Sequence, residues 1–137
     1  MIKVKVDCGS FAPERAYKTD AGADLRSPIC VKVPAHDSVI IDTGVHIELP
    51  DNTAGFLKSK SGLMCKYGVT SEGVIDVGYT GSIRVKLFNH SCVDHVVLRG
   101  DKISQLVIVK VDIEDFDVVQ ELDQTERGDN GFGSTGR

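Results

Sequence analysis

The sequence lacks tryptophan, any long apolar run and any Cys-x-x-Cys pair among its four cysteines. Scattered thiols suit a reducing compartment better than a disulfide framework. Without a run of about 20 apolar residues, no window predicts a membrane-spanning helix, and the N-terminus MIKVKVDCGS lacks the apolar core of a secretion signal. We therefore expect a cytoplasmic protein with no membrane partner.

The chain also lacks a net positive charge, because 20 acidic residues outnumber 16 basic ones, which gives a net charge of −4 and an isoelectric point near 5.5. A nucleic-acid partner would normally leave a basic field, so none is expected, whereas a small anionic substrate needs only a local basic cluster. The 137 residues, of which 41% are hydrophobic and 26% charged, predict one globular domain with one core.

One short segment carries three potential metal ligands, namely His90, Cys92 and His95. A tetrahedral zinc site needs a further ligand, and no second cluster supplies it. A polar loop between strands is the favoured interpretation, with a metal site as the alternative.

Most periodic segments alternate apolar and polar residues with period two, as β-strands do. Glycines and prolines cut them into short strands, which predicts an all-β sandwich, barrel or jelly roll. Residues 105–111 are apolar on both faces, so we expect a central strand covered twice, within the chain or by a neighbouring subunit. The alternating segments are Ile2 to Val6, Val31 to Val33, Val45 to Leu49, Ile83 to Leu87 and Val107 to Val111.

The one predicted helix runs from Ser61 to Tyr67, with Ser61 as its cap and Gly68 as its left-handed end. Lys58 and Lys60 precede it, and helix N-termini favour anions. The segment therefore predicts either an anion site or a solvated lysine pair beside an ordinary cap.

A hairpin is predicted from Gly73 to Asn89, with Asp76 directly before the turn Val77–Gly81. Its two glycines can adopt positive φ, and Ile83, Val85 and Leu87 alternate with charged residues in the returning strand. An acid at this position either caps the turn or carries out chemistry.

The C-terminus changes composition after the strand-like segment Phe116 to Leu122, with four glycines between residues 127 and 137. A flexible end is the simple interpretation. Phe132, however, offers a flat apolar face, and Arg127 offers a fork suited to phosphate. Because this segment has no P-loop ending, a tail that orders over a nucleotide is the alternative.

Five segments, in order, resemble the five motifs of the trimeric deoxyuridine triphosphate nucleotidohydrolase (dUTPase) family. That family folds as a jelly-roll-like β barrel, which agrees with the strand pattern. The resemblance implies a homotrimer whose barrel, residues 1–122, is followed by an arm, residues 123–137, that completes a neighbour's active site. The five segments are 21–25 (AGADL), 60–63 (KSGL), 73–81 (GVIDVGYTG), 100–106 (GDKISQL) and 127–136.

The resemblance implies that the enzyme hydrolyses dUTP to dUMP and pyrophosphate, which limits uracil in DNA and supplies dUMP. Asp76 would be the general base that activates water for attack on the α-phosphorus. Tyr79 would pack beneath the deoxyribose, and main-chain groups near Gly73 and Arg84 would bind uracil.

The phosphates would be bound by residues of three other motifs. Mg²⁺ would be bound mainly by the triphosphate, with no direct protein ligand. Asp24 would hold one magnesium-bound water, or it is a turn carboxylate after Ala-Gly. The implied phosphate and tail contacts are Lys60, Ser61, Gly62, Gln105, Arg127, Phe132, Gly133 and Ser134.

The sequence departs from the family pattern at two places. Lys60 stands where the second motif usually has arginine, which keeps the charge but loses the bidentate fork. Thr70 and Ser71 occupy a loop where some members have an asparagine that reads the base, so main-chain readout would have to suffice.

Two alternatives remain on the same scaffold. The deoxycytidine triphosphate deaminases share the barrel but carry a catalytic glutamate where this chain has Lys86. A non-catalytic, regulatory nucleotide-sensing protein is the other, and the presence of all five motifs argues against it.

Overall fold

The computed structural model describes residues 1–132, 134 and 136, which form ten β-strands and one α-helix. The prediction of an all-β domain with one short helix is confirmed. No helix in this described part is long and apolar enough to cross a membrane. The elements are β1 Lys3–Val6, β2 Gly22–Arg26, β3 Val31–Val33, β4 Ser38–Asp42, β5 Val45–Glu48, β6 Thr53–Lys58, α1 Ser61–Tyr67, β7 Val69–Ile75, β8 Arg84–Asn89, β9 His95–Val97 and β10 Lys102–Lys110.

Six of the strands form one antiparallel sheet in the order β2-β10-β6-β7-β8-β4. Two antiparallel ribbons, β1-β5 and β3-β9, complete the fold. Neighbouring strands in the sheet are often distant in sequence, so residues from separate motifs meet across strand pairs.

The core is built from the apolar faces of the alternating strands other than β1, whose Val4 is exposed. Val85 and Leu87 of β8 are fully buried, whereas Arg84 and Lys86 between them are exposed, as the period predicts. The largest fully buried side chains include Leu25, Ile41, Ile83, Leu87, Ile103 and Leu106.

Strand β10 is central, as predicted, because it pairs with β2 on one edge and β6 on the other. Cover on both faces is not found within this chain, since Val109 is 39% exposed and Val107 and Ile108 are only half-buried. Cover by a neighbouring subunit stays a prediction.

Helix α1 has the predicted bounds and ends at Gly68 with φ of 65°. The predicted cap is wrong, because Lys60 occupies the cap position in an extended conformation and no side chain caps the helix. Ser61 is already inside the first turn, where its hydroxyl cannot accept from the following amides as a cap does.

The chain leaves the barrel after β10. The Val111 amide donates to the Asn52 carbonyl at 3.0 Å, and residues 112–130 are exposed. Phe116 to Leu122 forms no strand, so that expectation is wrong: Val118 and Val119 are consecutive, which breaks the alternation typical of a strand, and the segment belongs to none of the sheets. The division into residues 1–122 and 123–137 stays a prediction.

Candidate active site

The hairpin turn places Asp76 as the first residue after β7. The Tyr79 amide donates to the peptide oxygen of Asp76 at 3.1 Å, and Gly78 takes the left-handed φ of 87°. Among the described residues, no hydrogen bond or ion pair engages the Asp76 carboxylate, which is exposed. Because the peptide oxygen closes the turn, the side chain remains available for chemistry.

Tyr79 folds back over Gly81. Its hydroxyl donates to the Ser82 carbonyl oxygen at 2.9 Å, and a Cβ added to Gly81 would lie 2.5 Å from that hydroxyl oxygen. The sequence suggested positive φ for both turn glycines, but only Gly78 adopts it. Gly81 is needed instead for the close approach of the tyrosine ring.

The strands on either side of the hairpin separate as they approach the turn. Strands β7 and β8 pair only from Val69↔Asn89 to Ser71↔Leu87. Beyond Ser71, β7 continues to Ile75 paired with β6, while β8 from Arg84 pairs with β4. Gly73 and Arg84 therefore lie on the two strands that border an unpaired gap.

Residues 42–46 hold the far side of the hairpin. The Ser82 hydroxyl donates to the Asp42 carboxylate, and the Ile83 amide donates to the Val45 carbonyl at 2.8 Å. The hydrogen bond from Ser82, and then the one from the Gly44 amide, hold the pKa of Asp42 below its usual value. Arg84 Nε lies 3.8 Å from Asp42 as an exposed pair.

A second cluster lies where β2, β10 and the end of β6 meet. Gln105 pairs with Asp24 of β2 on one side and Lys58 of β6 on the other, and its amide donates to the Ser59 carbonyl at 3.0 Å. Asp24, Lys58, Lys60 and Gln105 line a cavity of about 360 Å³. Two predicted phosphate contacts, Lys60 and Gln105, are thus brought together.

Asp24 is buried in this cluster with only 7% of its side chain exposed. Its two carboxylate oxygens are bound by different ammonium groups, Lys60 on Oδ1 and Lys102 on Oδ2. Burial alone would raise the pKa of Asp24, but the hydrogen bonds from Lys102 and Lys60 outweigh it and lower the pKa. The turn interpretation of Asp24 is wrong, because the residue lies within strand β2.

Binding of a magnesium-bound water by Asp24 stays a prediction, and in this structure both carboxylate oxygens are bound by ammonium groups. In the described part of the chain, no three His, Cys, Asp or Glu side chains group to hold a metal. His90 instead contacts Thr70, with Nε2 2.8 Å from the hydroxyl oxygen, and His95 packs against the Tyr67 ring.

The start of α1 is open. Ser61 is exposed, and a Cβ added to Gly62 would meet nothing within 4 Å. The Met64 amide already donates to the Lys60 carbonyl at 2.9 Å, so the free amides are those of the first turn before it.

The described hydrogen bonds of the tail are formed between residues of the tail. Arg127 Nε donates to the Asn130 carbonyl at 3.0 Å, and the Ser134 amide donates to Gly131 at 3.1 Å. Phe132 is fully exposed. Gly133, another predicted contact, lies outside the described residues.

The two clusters lie at different positions along β7. Lys58, in the second cluster, pairs with Glu72 in the middle of this strand, whereas Asp76 follows its last residue. Asp76 is four positions along the chain from Glu72, which corresponds to about 13 Å at the usual strand rise. The predicted base and the predicted phosphate contacts are therefore not brought together within one chain.

A family model described as dUTPase matches residues 10–136, nearly the whole chain. The chain belongs to the dUTPase family. The deoxyuridine 5′-triphosphate nucleotidohydrolase of Corynebacterium glutamicum is 43% identical over 98% of this chain and 93% of its own length. The corresponding protein of Paramecium bursaria Chlorella virus 1 is 40% identical over 99% of this chain and 96% of its own.

A solved structure of the Staphylococcus bacteriophage 80alpha dUTPase with dUpNHpp superposes with a TM-score of 0.94 at 28% identity, covering 100% of this chain and 99% of that one. A mutant dUTPase from phage phi11 of S. aureus, described with a structural Mg(II) ion, gives 0.82 at 26% identity, with coverage of 88% and 97%. The jelly-roll-like fold and dUTP hydrolysis as the activity of this chain are confirmed. Lys86 lies exposed with its Nζ 5.0 Å from the centre of the Phe88 ring, and no observation favours a deaminase.

Sequence reasoning missed the residues that hold these clusters, namely Lys102, Asp42, Ser82 and His46. Asp42 and Ser82 are 40 residues apart, and His46 and Thr80 are 34 apart. No local pattern signals such pairs, because they depend on which strands become neighbours.

Proposed function

We propose that this dUTPase uses Asp76 as the general base. The carboxylate takes a proton from a water molecule, whose oxygen bonds to the α-phosphorus as the bond to the bridging oxygen breaks. Pyrophosphate leaves and dUMP remains. The observation that carries the proposal is the exposed carboxylate at the base of the hairpin, which is not used to close its own turn.

Uracil is read by the unpaired gap between β7 and β8. Strand edges that lack a partner present backbone donors and acceptors in a fixed order, and here the edges run past Gly73 and Arg84. A base that presents a mismatched edge leaves those groups unpaired, which discriminates by about 10⁴–10⁵.

The sugar is read by Tyr79, whose ring is held against Gly81 by the hydrogen bond to Ser82. A ring fixed in this way forms a hard wall below the deoxyribose. An additional 2′-hydroxyl would meet that wall instead of water.

The triphosphate is bound by the second cluster, beside the middle of β7. Lys60 and Gln105 line its cavity, and Lys60 is the residue directly before the amides of Ser61 and Gly62 at the start of α1. Mg²⁺ arrives as part of the substrate, on the phosphate oxygens, and keeps most of its waters. Asp24 serves as the anchor of Lys60.

A homotrimer reconciles the separation of the two clusters. If the hairpin of one subunit meets the phosphate cluster of a second, the separation of about 13 Å along β7 within a chain is no obstacle. The tail, residues 123–137, then brings Arg127, Phe132, Gly133 and Ser134 from a third subunit. Phe132, which is fully exposed in one chain, would stack on uracil there.

The test is pyrophosphate release from dUTP by the wild type and Asp76→Asn. We expect kcat to fall by about 10²–10⁴, as loss of a general base does. Asp51→Asn, which removes an exposed turn carboxylate outside the site, is the matched control and should keep wild-type turnover. Equal rates for wild type and Asp76→Asn would remove Asp76 from the mechanism.

A further inference from the structure

We propose that His46 is a positioning residue for the deoxyuridine hairpin, one that holds the Thr80 carbonyl while its imidazole ring is protonated. The inference rests on the proposed function, because it assumes that the hairpin between Asp76 and Gly81 binds the nucleoside. It adds a residue that lies outside the five family segments.

His46 joins three parts of the chain. It lies in β5, its Nδ1 is 2.9 Å from the Thr80 carbonyl oxygen in the hairpin turn, and its Nε2 is 3.1 Å from Asp7 Oδ2 just after β1. The side chain is 21% exposed. Thr80 is the residue between Tyr79 and Gly81, so the imidazole holds the turn next to the ring that reads the sugar.

Both partners of the ring are acceptors that carry no proton. A carbonyl oxygen only accepts, and an ionised carboxylate only accepts, so both contacts form only if both ring nitrogens donate. Neutral imidazole has one N–H, whereas imidazolium has two. The geometry on both sides of His46 therefore corresponds to the protonated ring.

The surroundings favour that form. The Thr80 carbonyl, and after it Asp7, raise the pKa of His46, while burial and the charge of Lys5 oppose them. Lys5 is the residue opposite His46 in β1, and its Nζ lies 3.5 Å from the other oxygen of Asp7.

The remaining charges near the ring are paired with other groups. Lys3 and Glu48 pair with each other at 3.1 Å, and Asp42 is bound by Ser82 and Gly44. From the hairpin turn, the ionisable side chains are Asp76 and Tyr79.

After deprotonation the His46 ring has one N–H, so its two acceptors compete for a single hydrogen bond. A single N–H goes to the carboxylate, because a charged acceptor binds more strongly than a carbonyl. Nδ1 then presents a lone pair to the Thr80 oxygen, and that contact becomes repulsive. Below its raised pKa His46 stabilises the turn, and above it this stabilisation is lost.

The experiment measures the affinity of wild type and His46→Gln for dUpNHpp, which is bound without being hydrolysed, from pH 5.5 to 9. Well below the pKa of His46, the wild type should bind about 2- to 12-fold tighter, the range that one net hydrogen bond gives. The ratio should approach one at high pH. Taking the ratio cancels the ionisation of the ligand's own phosphates.

Two further measurements keep the test independent of that variant's folding. By linkage, saturating wild type with dUpNHpp should raise the pKa of His46, followed from its ring protons by NMR. Asp7→Asn removes the carboxylate but keeps the backbone bond from residue 7 to the Gly44 carbonyl, 2.8 Å in the wild type, so it should lower the pKa of His46. The affinity change should then move to lower pH.

His36→Asn is the control, because His36 is exposed and asparagine tolerates its φ of 56°. Its affinity ratio to wild type should be near one at every pH. A ratio for His46→Gln that does not vary with pH, or a pKa of His46 unchanged by dUpNHpp, would overturn the inference. The base role of Asp76 is judged separately, because it is measured by hydrolysis and this experiment by binding.

Discussion

The Nζ of Lys102 lies 2.7 Å from Oδ2 of Asp24, on the carboxylate whose other oxygen binds Lys60. Three motifs that are distant in sequence are therefore joined by one buried carboxylate. Its function in this structure is to fix the position of Lys60, the lysine that stands where the family usually has arginine.

Replacing Asp24 by Asn should leave two ammonium groups facing an amide. Because the lysines are 25% and 38% exposed, the loss is smaller than for a fully buried pair, and we expect the free energy of unfolding at pH 7 to fall by about 1–3 kcal/mol. Denaturant titration measures it, with Asp51→Asn as a control that should stay within about 0.5 kcal/mol of wild type.

The ion pairs of Asp24 also predict how the stability of the protein changes with pH. The pKa of Asp24 is lowered in the folded state, so its contribution is complete above the unfolded value of about 4 and is lost as pH falls towards the folded pKa. The stability difference between wild type and Asp24→Asn should therefore be constant between about pH 5 and 7 and shrink below about pH 4. A difference that grows on acidification would contradict this arrangement.

Changing Lys60 or Lys102 to Met should have similar effects on stability but different effects on substrate binding. Both variants remove one ammonium from Asp24, so similar losses of stability are expected. Only Lys60→Met also removes a charge that we propose binds phosphate, and its KM for dUTP should rise by about 10-fold or more, the effect of one charged hydrogen bond. Steady-state kinetics checks it, and a KM for Lys60→Met equal to that of wild type would mean that Lys60 serves only Asp24.

Adding a methyl group at Gly81 should change substrate choice through Tyr79. A Cβ there would lie 2.5 Å from the Tyr79 hydroxyl, so Gly81→Ala must displace the ring. We expect a decreased preference for dUTP over UTP, measured as the ratio of the two kcat/KM values. Tyr79→Ala should lower it as well.

The double variant supplies the control for that prediction. If Gly81→Ala acts only by moving Tyr79, adding it to Tyr79→Ala should change the preference no further. Additive effects would show that Gly81 contacts the nucleotide by itself.

Local signals in the sequence predicted those parts of the fold that local physics determines. The bounds of α1 followed from Gly68, and the hairpin followed from Gly78 and the alternation of β8. The register of β2, β6 and β10 could not be predicted, because it depends on pairing between distant segments, such as Gly22 with Val107, which are 85 residues apart. A turn therefore remained one of the two roles predicted for Asp24, although this residue lies within a strand and is bound by two lysines.

Removing the chain after Leu122 should leave a folded protein with severely reduced turnover. The removed segment makes no described contact with the barrel, so its loss exposes little apolar surface and the midpoint of thermal unfolding should change little. Turnover should fall because Arg127 and Phe132 are absent. Full activity of the truncated chain would refute a role for the tail.

Mixing two inactive variants then tests whether the tail completes the site of its own subunit or that of a neighbouring subunit. The truncated chain supplies Asp76, and full-length Asp76→Asn supplies the tail. After the two are unfolded and refolded together in equal amounts, half of the hairpins and half of the tails are intact. If hairpin and tail come from different subunits, about one quarter of the sites combine both, and about one quarter of wild-type turnover should return. If the tail closes over its own hairpin, no site combines them, and the mixture should be no more active than its two components assayed separately.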